Sequence, residues 1–258
     1  MMLDDLMAGS RADAARRRAL VPTDEVERLA LAQAPALDAV AALSRRKTVN
    51  IIAEVKRASP SRGRLAGIPD PAELATRYER GGAAAISVLT EERKFLGSLD
   101  DLRAVRQAVT VPVLRKEFIS EEYQILEARA AGADLILLIV AALDQATLVR
   151  LKTFTESLGM TALVEVHTRD EFNRAVDADS RVLGVNARDL QTFELHPQLF
   201  AELAPDYPAG VVRVAESAVL TPEHVRNYRE VGADAVLIGE ALVTGDNPEA
   251  TINSFMQV

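Results

Sequence analysis

At 258 residues, 48% hydrophobic and 26% charged, the chain can bury a large core and keep a polar surface, as one α/β barrel or two small domains would. A net charge of −8 and a pI near 5.1 argue against a general nucleic-acid binder, although a few local cations could still hold an anionic ligand. The absence of Cys excludes disulfides, a thiolate nucleophile and a Cys-ligated metal, and a core with 4% aromatic residues and no Trp must rest on Ala, Val, Leu and Ile.

Residues 1–47 predict one or two amphipathic helices, broken at Leu20-Val21-Pro22, with Thr23 as candidate cap for the second. The Arg16-Arg17-Arg18 run reads as a solvated helix face rather than a nucleic-acid patch, because acids lie nearby. Met1–Leu20 holds no apolar run of signal-peptide length, and Leu135–Leu143 is too short to span a bilayer. No membrane role and a cytoplasmic location are therefore expected. The segment is assigned as an extension packed on residues 48–258.

From residue 49 onward, eight apolar, β-branched runs alternate with stretches of helical period. They are Val49–Val55, Ala83–Leu89, Val111–Leu114, Asp134–Leu138, Thr161–Val166, Val182–Asn186, Val211–Ala215 and Ala235–Ile238. Such alternation predicts a parallel sheet, and eight units predict closure. The fold class is α/β: a (β/α)8 TIM barrel with an N-terminal helical extension. Asp70-Pro71 and Thr221-Pro222 place a cap before Pro at helix starts, and Gly81-Gly82, Gly132, Gly159 and Gly232 mark helix ends. "GADLILL" near Gly132 and "GADAVLI" near Gly232 repeat one helix-to-strand joint.

Active sites of such barrels lie at the C-terminal ends of the strands, so polar residues there are the candidates. Glu54 and Lys56 end the first run, two apart and in phase with Ile52. Arg115-Lys116 ends the third, Glu165 the fifth, Asn186 the sixth with Arg188 two residues on, and Glu216 the seventh. Five converging polar ends predict a functional mouth. Two lysines and three glutamates in one mouth imply coupled titration suited to acid–base chemistry.

A phosphate site is expected from Ser59 in the loop Ser59–Gly63, from Ser217 and Ala218 after strand seven, and from Gly239 and Glu240 after strand eight. Glu240 would repel phosphate through its side chain, so only its N–H is expected to take part. His167, His196 and His224 are set aside: His167 is read as pointing away from Glu165, and no pair has metal-ligand spacing. No dinucleotide fingerprint or Walker loop is present. Neither metal nor cofactor is expected.

Several stretches together carry a family resemblance. "IIAEVKRASPSRG" (Ile51–Gly63) resembles the strand-one signature of indole-3-glycerol phosphate synthases. "SVLTEERKFLGSLDDL" (Ser87–Leu102), "PVLRKEFI" (Pro112–Ile119), "LVEVH" (Leu163–His167), "GVNARDLQTFE" (Gly184–Glu194), "AES" (Ala215–Ser217) and "LIGEAL" (Leu237–Leu242) follow in family order.

The resemblance implies a carboxy-lyase of tryptophan biosynthesis acting on an anionic sugar phosphate, 1-(2-carboxyphenylamino)-1-deoxyribulose 5-phosphate. It implies Lys116 as general acid, Glu165 and Lys56 as acid–base groups, and Glu54 as orienter of the lysines. Asn186 and Arg188 would position substrate with Glu216 holding Arg188, and Phe95 and Phe118 would pack near the anthranilate ring. Where the family usually reads Glu-Ser-Gly, this chain has Glu216-Ser217-Ala218, and weaker phosphate binding is expected. A non-catalytic or retuned phosphate-binding barrel and a sibling phosphoribosyl anthranilate isomerase are the alternatives. Oligomeric state and protein partners are not legible in the sequence.

Overall fold

The computed structural model describes residues 2–190 and 192–258, so Met1 of the N-terminal segment and Gln191 of the motif after the sixth run lie outside it. Each apolar run forms a strand: β1 Asn50–Val55, β2 Ala85–Leu89, β3 Val113–Lys116, β4 Leu135–Ile139, β5 Thr161–Val166, β6 Val182–Asn186, β7 Val212–Glu216 and β8 Ala235–Ile238. Neighbours pair in parallel, and β8 closes the barrel on β1 from Asn50–Ala235 to Ala53–Ile238. Nearly every strand residue is buried, as expected when helices cover one face and side chains fill the other.

Two strand ends run further than their apolar residues suggest, and both extensions matter for the site. β3 starts after Pro112, which has no N–H for the ladder, and continues until Lys116 pairs with Leu89 of β2. β7 continues to Glu216, which pairs with Asn186 of β6 and Leu237 of β8. Backbone pairing thus carries both charged residues to the C-terminal rim.

The helices are α1 Met2–Leu20, α2 Thr23–Leu31, α3 Ala39–Leu43, α4 Pro71–Arg80, α5 Leu99–Ala108, α6 Glu122–Ala130, α7 Gln145–Ser157, α8 Arg169–Asp177, α9 Leu199–Leu203, α10 Pro222–Glu230, α11 Glu240–Val243 and α12 Pro248–Met256. Asp70 accepts from the N–H groups of Ala72 and Glu73, and Thr221 from that of His224, each ahead of a proline in the first turn. Thr23 departs from expectation. Pro22 holds the capping position and Thr23 is already helical, so α2 starts without a side-chain cap.

The repeated Gly-Ala-Asp joint has a structural reason. Gly132 and Gly232 take φ values of +89° and +106°, where a Cβ is disfavoured, and end α6 and α10. Two residues later the Asp carboxylates accept backbone N–H groups from the preceding strand, Asp134 from Val113 at 2.8 Å and Asp234 from Arg213 at 3.0 Å. The same device therefore locks β3 and β7, the strands that carry Lys116 and Glu216.

The N-terminal helices pack directly on the barrel. Leu3, Leu6 and Met7 enter the main core, while Ala14 of α1 joins Val26 and Ala30 of α2 against Tyr123 and Leu126 of α6. The Arg16–Arg18 run is not simply a solvated face. Arg16 and Arg17 pair with Glu92, Arg17 also with Glu127, and Arg18 with Glu121. The run therefore joins α1 to the loop after β2 and to α6, because the matching acids lie opposite it.

Candidate active site

The loops following the strands surround one cavity, and every candidate side chain borders it. Glu54 and Lys56 enter from β1 and its extension, Lys116 from β3, Glu165 from β5, Asn186 and Arg188 from β6 and the loop beyond, and Glu216 from β7. Ser59, Ser217, Ala218, Gly239 and Glu240 line one side, and Phe95 and Phe118 another.

At the centre, Lys116 Nζ donates to Glu216 Oε2 at 2.6 Å and lies 3.4 Å from Glu165 Oε2 and 4.0 Å from Glu54 Oε2. Lys56 Nζ pairs with Glu54 Oε1 at 2.7 Å, so Glu54 joins the two lysines. Burial alone would favour neutral Lys116, but Glu216, Glu165 and Glu54 together outweigh it and raise the lysine pKa. Burial likewise opposes the Glu54 and Glu165 carboxylates. Lys56 and Lys116 overcome it at Glu54, while Lys116 and His167 overcome it at Glu165, so both acids are lowered. Glu216 behaves oppositely: burial and the Glu165 charge push it up to about 8, and its Oε1 is buried without a hydrogen-bond partner.

Two expectations need correction. Glu216 does not hold Arg188; it serves Lys116, while Arg188 Nη1 donates to the Phe193 carbonyl at 3.3 Å. Barrel closure brings β3 and β7 face to face across the interior, a relation that periodicity along one strand cannot reveal. His167 does not turn away from Glu165. Residues two apart in extended chain share a face, and His167 Nε2 stands 3.2 Å from Glu165 Oε1. That phase was the signal available in the sequence.

On the polar side, Asn186 Oδ1 accepts from Ser217 Oγ at 2.7 Å and from the Arg188 N–H at 3.0 Å, tying the ends of β6 and β7. Ser217 and Ala218 both adopt left-handed backbone, φ +68° and +58°, where a Cβ costs about 1–2 kcal/mol. Gly239 is closely covered: a Cβ there would sit 2.4 Å from Glu54 Oε1 and 2.9 Å from Lys56 Nζ, so those two side chains would have to move. The Glu240 carboxylate is turned to Arg62 Nη2 at 3.0 Å.

On the aromatic side, the Phe95 and Phe118 rings lie 6.0 Å apart. Two acids missed in the sequence hold them. Glu91 accepts the N–H groups of Arg93, Lys94 and Phe95. Glu117 accepts from Ser10, Thr90 and the Phe118 N–H, at 3.0, 2.8 and 3.0 Å. Glu117 lies between Lys116 and Phe118 and Glu91 four residues before Phe95, both in loops where periodicity gives no orientation.

The family model for indole-3-glycerol phosphate synthase matches residues 3–255. The chain belongs to the indole-3-glycerol phosphate synthase family. The indole-3-glycerol phosphate synthase of Leifsonia xyli subsp. xyli is 61% identical over 257 residues, covering 100% of this chain and 98% of the relative. That of Kineococcus radiotolerans is 58% identical, covering 97% and 93%. A solved thiamine phosphate pyrophosphorylase from Pyrococcus furiosus superposes with a TM-score of 0.61 at 12% identity, over 82% of this chain and 95% of that one, and speaks for the barrel alone. As a member of the family the chain is a carboxy-lyase of tryptophan biosynthesis that acts on a phosphorylated sugar. The isomerase and non-catalytic alternatives are set aside by the extent of this match. Among the described residues, no helix is long and apolar enough to cross a membrane.

Proposed function

We propose the following roles for the cavity residues in converting 1-(2-carboxyphenylamino)-1-deoxyribulose 5-phosphate to indole-3-glycerol phosphate. The ring carbon that bears the carboxylate attacks the ribulose carbonyl, and Lys116 gives its proton to the developing alkoxide. The Glu165 and Glu54 carboxylates, with Glu216 accepting its hydrogen bond, keep Lys116 protonated until that stronger base forms, so the cation stabilises the transition state before it transfers the proton. Loss of CO₂ restores the aromatic ring. Loss of the hydroxyl as water then needs one proton delivered to oxygen and one removed from carbon, and Glu165 and Lys56 flank this step. Glu54 orients both lysines, with Lys56 at 2.7 Å and Lys116 at 4.0 Å.

Phe95 and Phe118 would take the anthranilate ring, and Asn186 and Arg188 the ribulose chain. Ser59, Ser217 and the backbone N–H groups of Ala218, Gly239 and Glu240 would hold the phosphate. The Arg62 contact leaves the Glu240 carboxylate occupied, which removes one repulsion from an incoming phosphate. Glu216 is the partner of Lys116 in this scheme. Its raised pKa lowers the negative charge that faces an anionic substrate. We also read residues 1–47 as an extension of the 48–258 barrel and place the protein in the cytoplasm, which suits a Cys-free chain acting on a sugar phosphate.

The observation that carries this reading is the placement of Lys116 Nζ among Glu216, Glu165 and Glu54, all within 4.0 Å. The test is direct. Purified protein mixed with the carboxyphenylamino-ribulose phosphate, with no cofactor added, should generate indole fluorescence and release CO₂ in equal amount. Binding without either product would end the proposal.

A further inference from the structure

The His167 side chain is buried, takes no part in the scheme above, and does not border the cavity. Its surroundings are nevertheless built around charge. The side chain of Thr168 caps α8, and the α8 carboxylate of Glu171 turns back to accept the His167 backbone N–H at 2.8 Å. The same Glu171 oxygen lies 3.2 Å from His167 Nδ1, which fixes the plane of the ring. The opposite nitrogen, Nε2, then stands 3.2 Å from Glu165 Oε1, close enough for an ion pair though not aligned as a hydrogen bond. With a carboxylate at each ring nitrogen, the imidazole is best satisfied as the doubly protonated cation. Burial opposes that charge, but Glu165 and Glu171 outweigh it and push His167 up to about 10.

The consequence falls on Glu165. Its Oε1 faces His167, while its Oε2 is buried, lacks a hydrogen-bond partner and lies 3.4 Å from Lys116 Nζ. One oxygen is paired with His167 and the other with the Lys116 ammonium at the reacting centre. We propose that His167, braced by Glu171, is the positioning residue for Glu165: it aims Oε2 at the reacting centre and keeps the carboxylate ionised there. The proposal rests on the reading of Glu165 as an acid–base group. The other charges facing Glu165 are Lys116 from β3, Glu216 from β7 and Glu54 from β1, and Glu171 is the second charge facing His167. Lys116 alone would still favour the ionised acid, so loss of His167 should weaken the effect without erasing it.

The experiment compares His167→Ala, His167→Gln and Glu165→Gln with the unaltered full-length chain, reading single-turnover rate against pH, KM and melting temperature. Removing a cation near 3 Å from a carboxylate raises its pKa, by about 1 unit or more. In His167→Ala the acid limb of the single-turnover profile should therefore move up by about that amount. The rate at neutral pH should fall about tenfold, less than the loss from a general base itself, on the order of 10²–10⁴. KM should change little. His167→Gln, which retains a donor but no charge, should recover part of the rate while keeping the shifted limb, and it carries the test if the alanine variant does not fold. An unmoved acid limb in a folded His167 variant, while Glu165→Gln is inactive, would overturn the positioning role and leave the Glu165 assignment standing. Full activity in Glu165→Gln would overturn both.

Discussion

Lys116 Nζ and Glu216 Oε2 lie 2.6 Å apart although a hundred residues separate them in the chain. Only closure of the barrel brings the ends of β3 and β7 together, and Glu216 is almost fully buried while Lys116 is mostly so. Such a pair is seldom retained for stability, since the desolvation of two charges offsets their attraction. On the roles proposed above, its value lies in keeping a protonated amine where an alkoxide will form.

Glu216 should make stability pH-dependent in an unusual direction. Its folded pKa, about 8, lies above the ordinary carboxylate value. The stability from this group is therefore fully present at low pH, below the ordinary carboxylate value, and is lost as pH rises through about 8. Glu216→Gln stays neutral and should melt increasingly above the unaltered protein as pH rises through that range. A difference that stays constant with pH would mean that Glu216 titrates normally.

Ala218 should limit phosphate affinity more than stability. Its left-handed φ of +58° costs about 1–2 kcal/mol for a residue with a Cβ. Ala218→Gly removes that strain but gives the unfolded chain more freedom, about 0.4–1 kcal/mol in the opposite sense. The melting temperature should barely move, while relaxation of the loop lowers KM with kcat unchanged. Steady-state kinetics on the glycine variant check this, and an unchanged KM would contradict it.

Much of this arrangement was legible in the residues, and the failures have identifiable causes. Aliphatic, β-branched runs such as Thr161–Val166 and Val182–Asn186 predict strands at the observed boundaries, and the polar residues at their ends line one cavity. Which of those residues touch was not legible. Glu216 was expected at Arg188, close in the mouth, but meets Lys116 across the barrel because strand tilt and closure decide interior neighbours. The contact of His167 with Glu165 follows from their two-residue offset, which places both on one face. The buried pairing of Glu117 with Arg115 was hidden for another reason. Burial of a charge becomes recognisable only once its partners on α1 and α6 are in place.

Glu117 should be a stability residue with a kinetic echo. Its carboxylate accepts three hydrogen bonds and stands 3.8 Å from Arg115, which is fully buried. Glu117→Ala leaves Arg115 with Glu127 at 3.4 Å and the Thr90 hydroxyl and Gln124 carbonyl at 3.1 and 2.6 Å, so the cost should sit at the low end of the about 3–5 kcal/mol typical of breaking a buried pair. Urea unfolding should show a loss of that size. KM should also rise, because Glu117 fixes the N–H of Phe118. A loss below about 1 kcal/mol would place Glu117 among surface-like ion pairs.

Gly239→Ala should damage the lysine–glutamate pair rather than the fold. The added Cβ would fall 2.4 Å from Glu54 Oε1 and 2.9 Å from Lys56 Nζ, so both side chains must retreat. The expected result is a fall in kcat of about tenfold or more, since misplacement of about 1 Å in a site can cost 10²-fold. Activity equal to the parent would show that Lys56 and Glu54 do not need their observed positions.

The most direct test is Lys116→Ala, assayed in parallel for substrate binding by calorimetry and for indole fluorescence. A side chain acting mainly on the developing alkoxide should lower turnover by about 10²–10⁴ while the dissociation constant of the substrate shifts only a few-fold. Turnover within about tenfold of the parent, with substrate bound, would contradict the central claim and move the proton donor away from Lys116.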